Sequence, residues 1–325
     1  MHDPVRIAVV GLGNFGRLHA LTLSGLAEAK LVGLVDQRPE ALAAAQAQFT
    51  DVPVWNTLER AVDQCDAEAW VVASSTASHV QITRTLLAAG RRVLVEKPLA
   101  GNLKDAECLA PLVAADSSNL MAGHIVLFNS EFRELLAESQ QRGPLSFIDA
   151  VRHRPTTTMQ LLPGESPFHL TMVHDLYCVV ALMYRADPQR FSAQAHHASD
   201  GACDLAVAQM QWEDGTVALL TASFLTPNGM PHDGYDRLEV FGRDWAARIH
   251  PNPRPLEMWD ERARWPAALE IRTQPGSPSG MLAEELRCFC RVVRGTEPVP
   301  LGAAYADALQ VQRWTDQLET AAYKR

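Results

Sequence analysis

Two groups of residues have the types and spacing to do chemistry. The first is Lys97, in the run Val93-Leu94-Val95-Glu96-Lys97-Pro98-Leu99. Apolar, β-branched residues after Gly90 read as a buried strand, and Pro98 cannot continue a ladder, so an amine is set at the strand's carboxyl end. In open parallel α/β sheets that edge opens on the crevice where ligands bind. The plain alternative is a solvated Glu96–Lys97 pair capping a strand. The second group is Gly11-Leu12-Gly13-Asn14-Phe15-Gly16, between the apolar run Val5–Val10 and a helix-like run from Arg17 to Leu26. Gly11 permits a tight turn, Gly13 admits a pyrophosphate to the backbone, and Gly16 lets helix and strand pack closely, while the helix amino terminus attracts phosphate charge. Asp36 follows a second strand, Leu31–Val35, about 20 residues past the last glycine, where a carboxylate would hold a ribose 2′-hydroxyl. The glycines alone are a weak signal. With strand, helix and acid in place they read as a dinucleotide site, Asn14 and Phe15 included, against the alternative of a bare βα turn. Asp36 favours NAD, because its charge repels a 2′-phosphate. Arg38, two residues on, could receive that phosphate, so NADP stays open beside the reading of Arg38 as a surface residue.

These residues need a sheet to hold them. A helix is expected at Glu40–Gln48, a strand at Val52–Trp55, a helix opened by Thr57, a strand at Ala69–Ala73, and a helix to Ala89 that Gly90 closes. Beyond Pro98 come a helix near Leu103–Ala114, a strand at Leu120–His124 and a helix at Ser130–Glu138. Strands alternating with helices mean a doubly wound parallel sheet. Ser74-Ser75-Thr76-Ala77-Ser78-His79, at a strand's carboxyl end, would lie over the dinucleotide, bringing Ser74, Ser75 and His79 to the cofactor; Ser78 fits a helix cap. The second half differs. Leu145–Arg152 reads as a strand, Ser166-Pro167 opens a helix to about Tyr184, and strand-like runs follow at Ala202–Trp212, Val217–Leu225 and Arg237–Phe241, with a hairpin at Asp214-Gly215. Further short strands are expected toward Ile271, with loops at Pro251–Pro255 and Pro275–Gly280. Successive strands without helices suggest an antiparallel sheet. Helices at Met281–Arg294 and Ala303–Ala321 close the chain.

Composition limits the function. At 325 residues, 47% hydrophobic and 21% charged, the chain can bury large cores and is expected to make two domains, which argues against a disordered or fibrous protein. The formal charge of −9 argues against nucleic acid or an anionic membrane as partner. Cys65, Cys108, Cys178, Cys203, Cys288 and Cys290 show no C-x-x-C pair, so reduced thiols in a cytoplasmic protein are expected, with no zinc site and no other metal constellation. The amino terminus does not read as a signal peptide, and no apolar stretch reaches the roughly 18–20 residues that span a bilayer.

Gly11-x-Gly13-x-x-Gly16, Asp36, the segment Ala73–His79 and above all Gly90–Leu99 with its Glu96-Lys97-Pro98 resemble the glucose–fructose oxidoreductase, inositol dehydrogenase and MocA (Gfo/Idh/MocA) family of dehydrogenases. The resemblance runs through essentially the whole chain. It implies an α/β protein with an N-terminal Rossmann doubly wound parallel sheet and a C-terminal α+β domain with a large, mostly antiparallel open sheet. The boundaries drawn on it are a dinucleotide-binding domain at 1–124, a substrate and oligomerisation domain at 125–302, and a C-terminal helix at 303–325 returning to the first domain. A homodimer or homotetramer through the open sheet is implied. So is NAD(P)-dependent hydride transfer at a secondary hydroxyl or carbonyl of a sugar, cyclitol or related polyol, with Glu96 and Lys97 at the cofactor and Lys97 also on the reacting hydroxyl.

Departures from the family pattern matter for catalysis. The family's Asp-x-x-x-His pair aligns with Leu170-Thr171-Met172-Val173-His174, which keeps the histidine and lacks the acid. An acid at i and a histidine at i+4 share a helix face, and Leu170 cannot orient or charge-balance the imidazole. His169, five residues before His174, stands about 140° around a regular helix and is kept as a substrate contact; Asp175 faces away by about 100°. His174 is either a base acting with Lys97 on the substrate or a helix histidine satisfied by a core hydrogen bond. Gly123-His124-Ile125-Val126-Leu127-Phe128-Asn129-Ser130 looks like the Gly-His-x-x-Arg-Phe-Asn-Pro segment of relatives acting on nucleotide-linked sugars, with Leu127 for the arginine, which puts an anionic substrate in doubt. His124 ends a strand as a substrate neighbour or a cap. Arg152 and Arg154 share a strand face and either meet substrate oxygens or form a solvated edge. Tyr177 belongs to an apolar helical stripe, and Trp212, Phe224 and Trp259 read as core or interface. Two functions remain: the dehydrogenase, and a cofactor-binding sensor on the same fold that has lost turnover.

Overall fold

The computed structural model of the chain describes residues 3–230, 235–251, 258–259, 263–264, 271–274 and 276–323. Alternating apolar strands and helices produce, in order, β1 (Val5–Val10), α1 (Asn14–Gly25), β2 (Ala29–Val35), α2 (Pro39–Gln48), β3 (Val54–Trp55), α3 (Leu58–Gln64), β4 (Ala69–Val72), α4 (Thr76–Ala88), β5 (Arg92–Glu96), α5 (Leu103–Glu107) and β6 (Leu120–Gly123). The expected helix at Leu103–Ala114 is cut to five residues and a separate 3₁₀ turn at Ala110–Leu112, because Pro111 cannot supply the amide that would join them. All six strands pair parallel in the order β3-β2-β1-β4-β5-β6. Every residue of β4 and β6 is buried, as a sheet covered on both faces requires.

Register aligns the carboxyl ends of these strands. Val10 pairs with Val35 and with Val72, Val72 with Val95, and Glu96 with Gly123. Gly11, Asp36, Lys97 and His124 are therefore the first residues past their strands, all on one edge.

The second half forms α6 (Ser130–Arg142), β7 (Leu145–Pro155), α7 (Thr157–Leu161), a π-helical turn at Phe168–Met172 running into α8 (Val173–Leu182), β8 (Arg190–His197), β9 (Cys203–Gln211), β10 (Val217–Thr226), β11 (Tyr235–Gly242) and β12 (Trp245–Ile249). The six strands are ordered β12-β11-β7-β10-β9-β8, antiparallel except for β7 with β10. Burial alternates along β9 and β10, so one face is packed and the other is not. Tyr177, Trp212 and Phe224 are buried as expected; the side chain of Trp259 and residues 252–255 lie outside the described residues. Ser279–Gly280, expected as loop, pairs with Ile271–Arg272. The chain ends with α9 (Met281–Val293) and α10 (Tyr305–Tyr323).

The chain divides into two compact units. One comprises Met1–Phe128 with Ile271–Leu309, the other Asn129–Glu270 with Gln310–Arg325. This differs from the expected boundaries, since α9 packs against α1 and the turn at Ile125–Phe128, and thus completes the first unit rather than the second. Within that unit Ala303 accepts a hydrogen bond from the Ala122 amide, and the Tyr305 hydroxyl donates to the Ala106 carbonyl. Only the first turn of α10 belongs there.

Candidate functional site

In the first unit the glycine loop leaves β1 with Gly11 at φ +89°, in the left-handed region. A Cβ on Gly11 would come within 2.5 Å of the Ser74 main chain, and one on Gly16 within 1.8 Å of the Gly11 carbonyl oxygen. At Gly13 a Cβ would meet nothing within 4 Å, so the backbone stays open there. The first turn of α1 carries no acidic side chain, which leaves its amides and dipole to an anion. A groove of about 790 Å³ runs along this loop, walled by Gly11, Gly13, Asn14, Phe15, Ser74 and Ser75, with Asp36 and Arg38 also lining it. An open glycine, a helix start and a carboxylate past β2 are the features a dinucleotide needs, and these residues fit one.

The Asp36 carboxylate accepts from the Leu12 amide at 2.7 Å and from Arg38, whose Nε and Nη2 donate at 3.0 and 2.9 Å. Burial alone would raise its pKa; the Arg38 and Leu12 bonds outweigh burial and hold it below the usual carboxylate range. Arg38 is thus folded onto Asp36 while remaining on the surface, its side chain half exposed. Asn56, Thr57 and Gln81 also line the groove, and the sequence gives no local motif for them.

Not every expected cofactor residue reaches the groove. His79 is buried, its Nδ1 2.8 Å from the Pro98 carbonyl and its Nε2 3.0 Å from that of Ser74, so it ties two loops together. Ser78 does line the groove, but it is not the helix cap: Ser75 holds the N-cap position, and Ser78, within the first turn of α4, bonds Ser74 Oγ and the Ser75 carbonyl. Lys97 is half-buried, and the Lys97–Pro98 bond is cis. Glu96 is buried; its Oε1 lies 2.8 Å from His19 Nε2 and its Oε2 accepts from the Lys97 amide at 3.3 Å. His124 is wholly buried. No metal constellation is expected from the sequence, yet His19, Glu96 and Glu285 come together from three distant segments with one ligand atom each inside 4.8 Å. His19 carried a faint signal, three residues beyond Gly16 on the same helix; Glu285 carried none.

In the second unit, Arg152 and Arg154 form neither a solvated edge nor a free pair of cations. Arg152 Nε donates to Asp175 at 2.8 Å and its Nη1 to Asp236 at 2.8 Å, while Arg154 Nη1 meets Asp236 at 2.6 Å. Arg152, Asp175 and Asp236 are each at most 2% exposed. Burial pushes the Asp175 carboxyl up to about 6 against the pull of Arg152. His174, on α8, is half-buried. The π turn before it changes one expectation: it puts an extra residue in the turn, so a spacing of five no longer carries His169 as far from His174 as on a regular helix. His169 Nε2 bonds Glu319 at 2.9 Å, a carboxylate from the last helix that no local pattern connects to it.

Residues 5–124 match an oxidoreductase family with an NAD-binding Rossmann fold, named GFO_IDH_MocA. The chain is 30% identical over 264 residues to an inositol 2-dehydrogenase of Rhizobium meliloti, covering 78% of each chain. It is 27% identical over 306 residues to a UDP-N-acetylglucosamine 3-dehydrogenase of Acidithiobacillus ferrooxidans, covering 91% of this chain and 90% of the other. With a Salmonella typhimurium relative the match is 34% but spans 54% of each chain. The crystal structure of a scyllo-inositol dehydrogenase from Lactobacillus casei with NAD(H) and scyllo-inositol superposes with a TM-score of 0.81 at 21% identity, over 98% of this chain and 96% of that one, a likeness of fold. Motif, groove and relatives agree: the chain belongs to the Gfo/Idh/MocA family of NAD-binding oxidoreductases.

Proposed function

We propose that this chain is an NAD(P)-dependent oxidoreductase that moves a hydride between nicotinamide and a secondary hydroxyl or carbonyl of a cyclitol, sugar or related polyol. One observation carries the reading: the dinucleotide groove and Lys97 lie on the same carboxyl edge of one sheet, fixed there by strand register. When bound, the nicotinamide supplies the hydride acceptor or donor. The chain supplies the rest. The glycine loop and the start of α1 hold the pyrophosphate, Asp36 holds a ribose hydroxyl after exchanging Arg38 for it, and the Lys97 amine takes or returns the substrate hydroxyl proton. His174 is the family's second proton-handling position, and His124, Arg152, Arg154 and His169 are the sequence's candidates for substrate contact. Of these, Arg152 and Arg154 are better read as structural, since Asp175 and Asp236 already use their guanidinium groups.

Two features support a substrate class. Relatives named for inositol support a cyclitol, and Leu127, in place of the arginine of nucleotide-sugar relatives, supports an uncharged one. NAD is the expected cofactor, with NADP admitted through Arg38. Leu170 favours a second reading, a cofactor-binding sensor without turnover. The half-exposed face of the second sheet, with Phe147, Val151, Leu219 and Phe241, supports a homodimer or homotetramer, and the free cysteines support a cytoplasmic protein. Among the described residues no helix is long and apolar enough to cross a membrane.

The test is nicotinamide absorbance during incubation of wild type and Lys97→Ala with NAD or NADP and a panel of cyclitols, sugars and sugar acids. Reduction by wild type alone is expected; full activity in the variant would place the chemistry elsewhere. Tight cofactor binding with no reduction of any compound would favour the sensor and make Leu170→Asp the variant to try.

A further inference from the structure

The first unit holds a group that the dinucleotide groove does not use. Glu285, on α9, is 0% exposed, and neither carboxyl oxygen is paired with a side chain among the described residues, the His124 main-chain amide being the donor that faces it. His19, on α1, is also 0% exposed, with Nδ1 likewise unmatched. Glu96 stands between them in function: it bonds the His19 ring with one oxygen and the Lys97 amide with the other. Buried polar atoms are almost always satisfied, so this gap calls for an occupant.

A tetrahedral zinc ion fits poorly. Two ligands about 2.0–2.1 Å from a tetrahedral ion stand roughly 3.3 Å apart, whereas His19 and Glu96 sit at the 2.8 Å of a direct hydrogen bond. A single water needs two to four polar partners, and Glu285 with Glu96 and His19 offers them. Two ionised carboxylates this close in a dry site would be strongly unfavourable.

We propose that Glu285 and His19 are positioning residues for Lys97: Glu285, as a neutral carboxylic acid bridged to Glu96 by one buried water, and His19, bonded to Glu96 directly, hold the Glu96 carboxylate against the Lys97 amide. The groups facing Glu285 agree with its neutrality. Burial and then the charge of Glu96 push its pKa well up, and the His124 main-chain amide pulls weakly the other way. Small displacements of a catalytic group cost large factors in rate, which is why a clamp on the main chain of Lys97 matters. The proposal rests on Lys97 being the proton-handling residue.

Three measurements on the full chain test it. The infrared difference spectrum between wild type and Glu285→Gln at neutral pH should contain the carbonyl band of a protonated carboxylic acid; its absence overturns the neutral acid. Glu285→Leu, similar in size but without polar atoms, should bind NAD as wild type does while kcat falls about tenfold or more, and Glu285→Gln should rescue kcat to within a few-fold. An undiminished kcat in Glu285→Leu, or an equal loss in both variants, overturns the positioning role. The acylation rate of the Lys97 amine, followed by mass spectrometry, reads the same effect without turnover: it should change in Glu285→Leu and not in Glu285→Gln. An unchanged rate in Glu285→Leu overturns the proposal, whereas absence of turnover in wild type overturns only the enzymatic reading. Stoichiometric zinc or manganese in purified wild type, lost in Glu285→Gln, would replace the water by a metal and overturn the proposal.

Discussion

The two units each bury a cluster of ionisable groups, and the clusters are built on opposite principles. In the second unit two arginines face two aspartates, and their charges balance; Asp175 Oδ2 is the loose end. In the first, Glu96 and Glu285 share a site with one histidine, no guanidinium or ammonium group is among the three, and Glu285 has no hydrogen-bonded side-chain partner. A balanced cluster holds segments together, and breaking it exposes an uncompensated charge. An unbalanced one at the edge of a ligand-binding sheet keeps its groups poised, at a cost in stability that function must justify. The difference teaches that burial of charge marks neither role; the completeness of its partners does.

The comparison can be broken at its strongest points. Lys97→Ala should lower kcat by about 10²–10⁴-fold with the melting temperature nearly unchanged, measured by nicotinamide absorbance beside a thermal melt; a large drop in stability would make Lys97 a structural residue after all. Arg152→Met should do the reverse, costing about 3–5 kcal/mol in urea unfolding by leaving Asp175 and Asp236 buried without their cation, while the NAD affinity of the folded protein is kept. Loss of NAD binding in a folded Arg152→Met protein would mean the balanced cluster serves the site. Asp36→Ala should weaken NAD by about 1.5–3 kcal/mol in a titration while narrowing the preference for NAD over NADP, since the repelling charge goes and Arg38 is released.

The smallest effect is a pH window at His169 and Glu319. Burial lowers the His169 pKa but the Glu319 bond and charge raise it further, so its folded value lies above 6.5; that contribution is present below 6.5 and is lost as pH rises through the folded value. Glu319, held low chiefly by the His169 bond, contributes above 4.5 and loses it as pH falls through its own folded value. The pair should therefore add about 1 kcal/mol or less, greatest between about 4.5 and 6.5. Glu319→Gln should flatten that maximum in a series of urea melts; an unchanged profile would remove the pair from the stability account.

What the chain disclosed in advance followed the range of the interaction. Gly11, Gly16 and Asp36 could be placed because turn, helix start and acid are neighbours along a short stretch, and the position of Lys97 at a strand end because the run Val93–Val95 before it is apolar. The strand at Arg190–His197 escaped because it is an edge strand of polar and small residues with alternately exposed positions, so no apolar alternation announced it. The role of Arg152 escaped because its partners Asp175 and Asp236 lie on another helix and another strand, and spacing along β7 says only which face it shares with Arg154. The π turn changed the angular bookkeeping between His169 and His174, and a regular helix had to be assumed without it. Glu285 depended on a packing of α9 against α1 that no local pattern encodes.

That packing has a consequence for how the protein comes into being. A nascent chain emerging from the ribosome presents the glycine loop, Asp36 and Lys97 early, with the Asn129–Glu270 part of the second unit still to be made before α9 follows. Until then the surface of α1 that α9 covers stays bare, and Ala122 waits for the carbonyl of Ala303. A gene fragment cut after the last recognisable motif would encode every feature by which the dinucleotide site is identified and yet translate into an unfinished unit, without Glu285 and with an uncovered apolar flank.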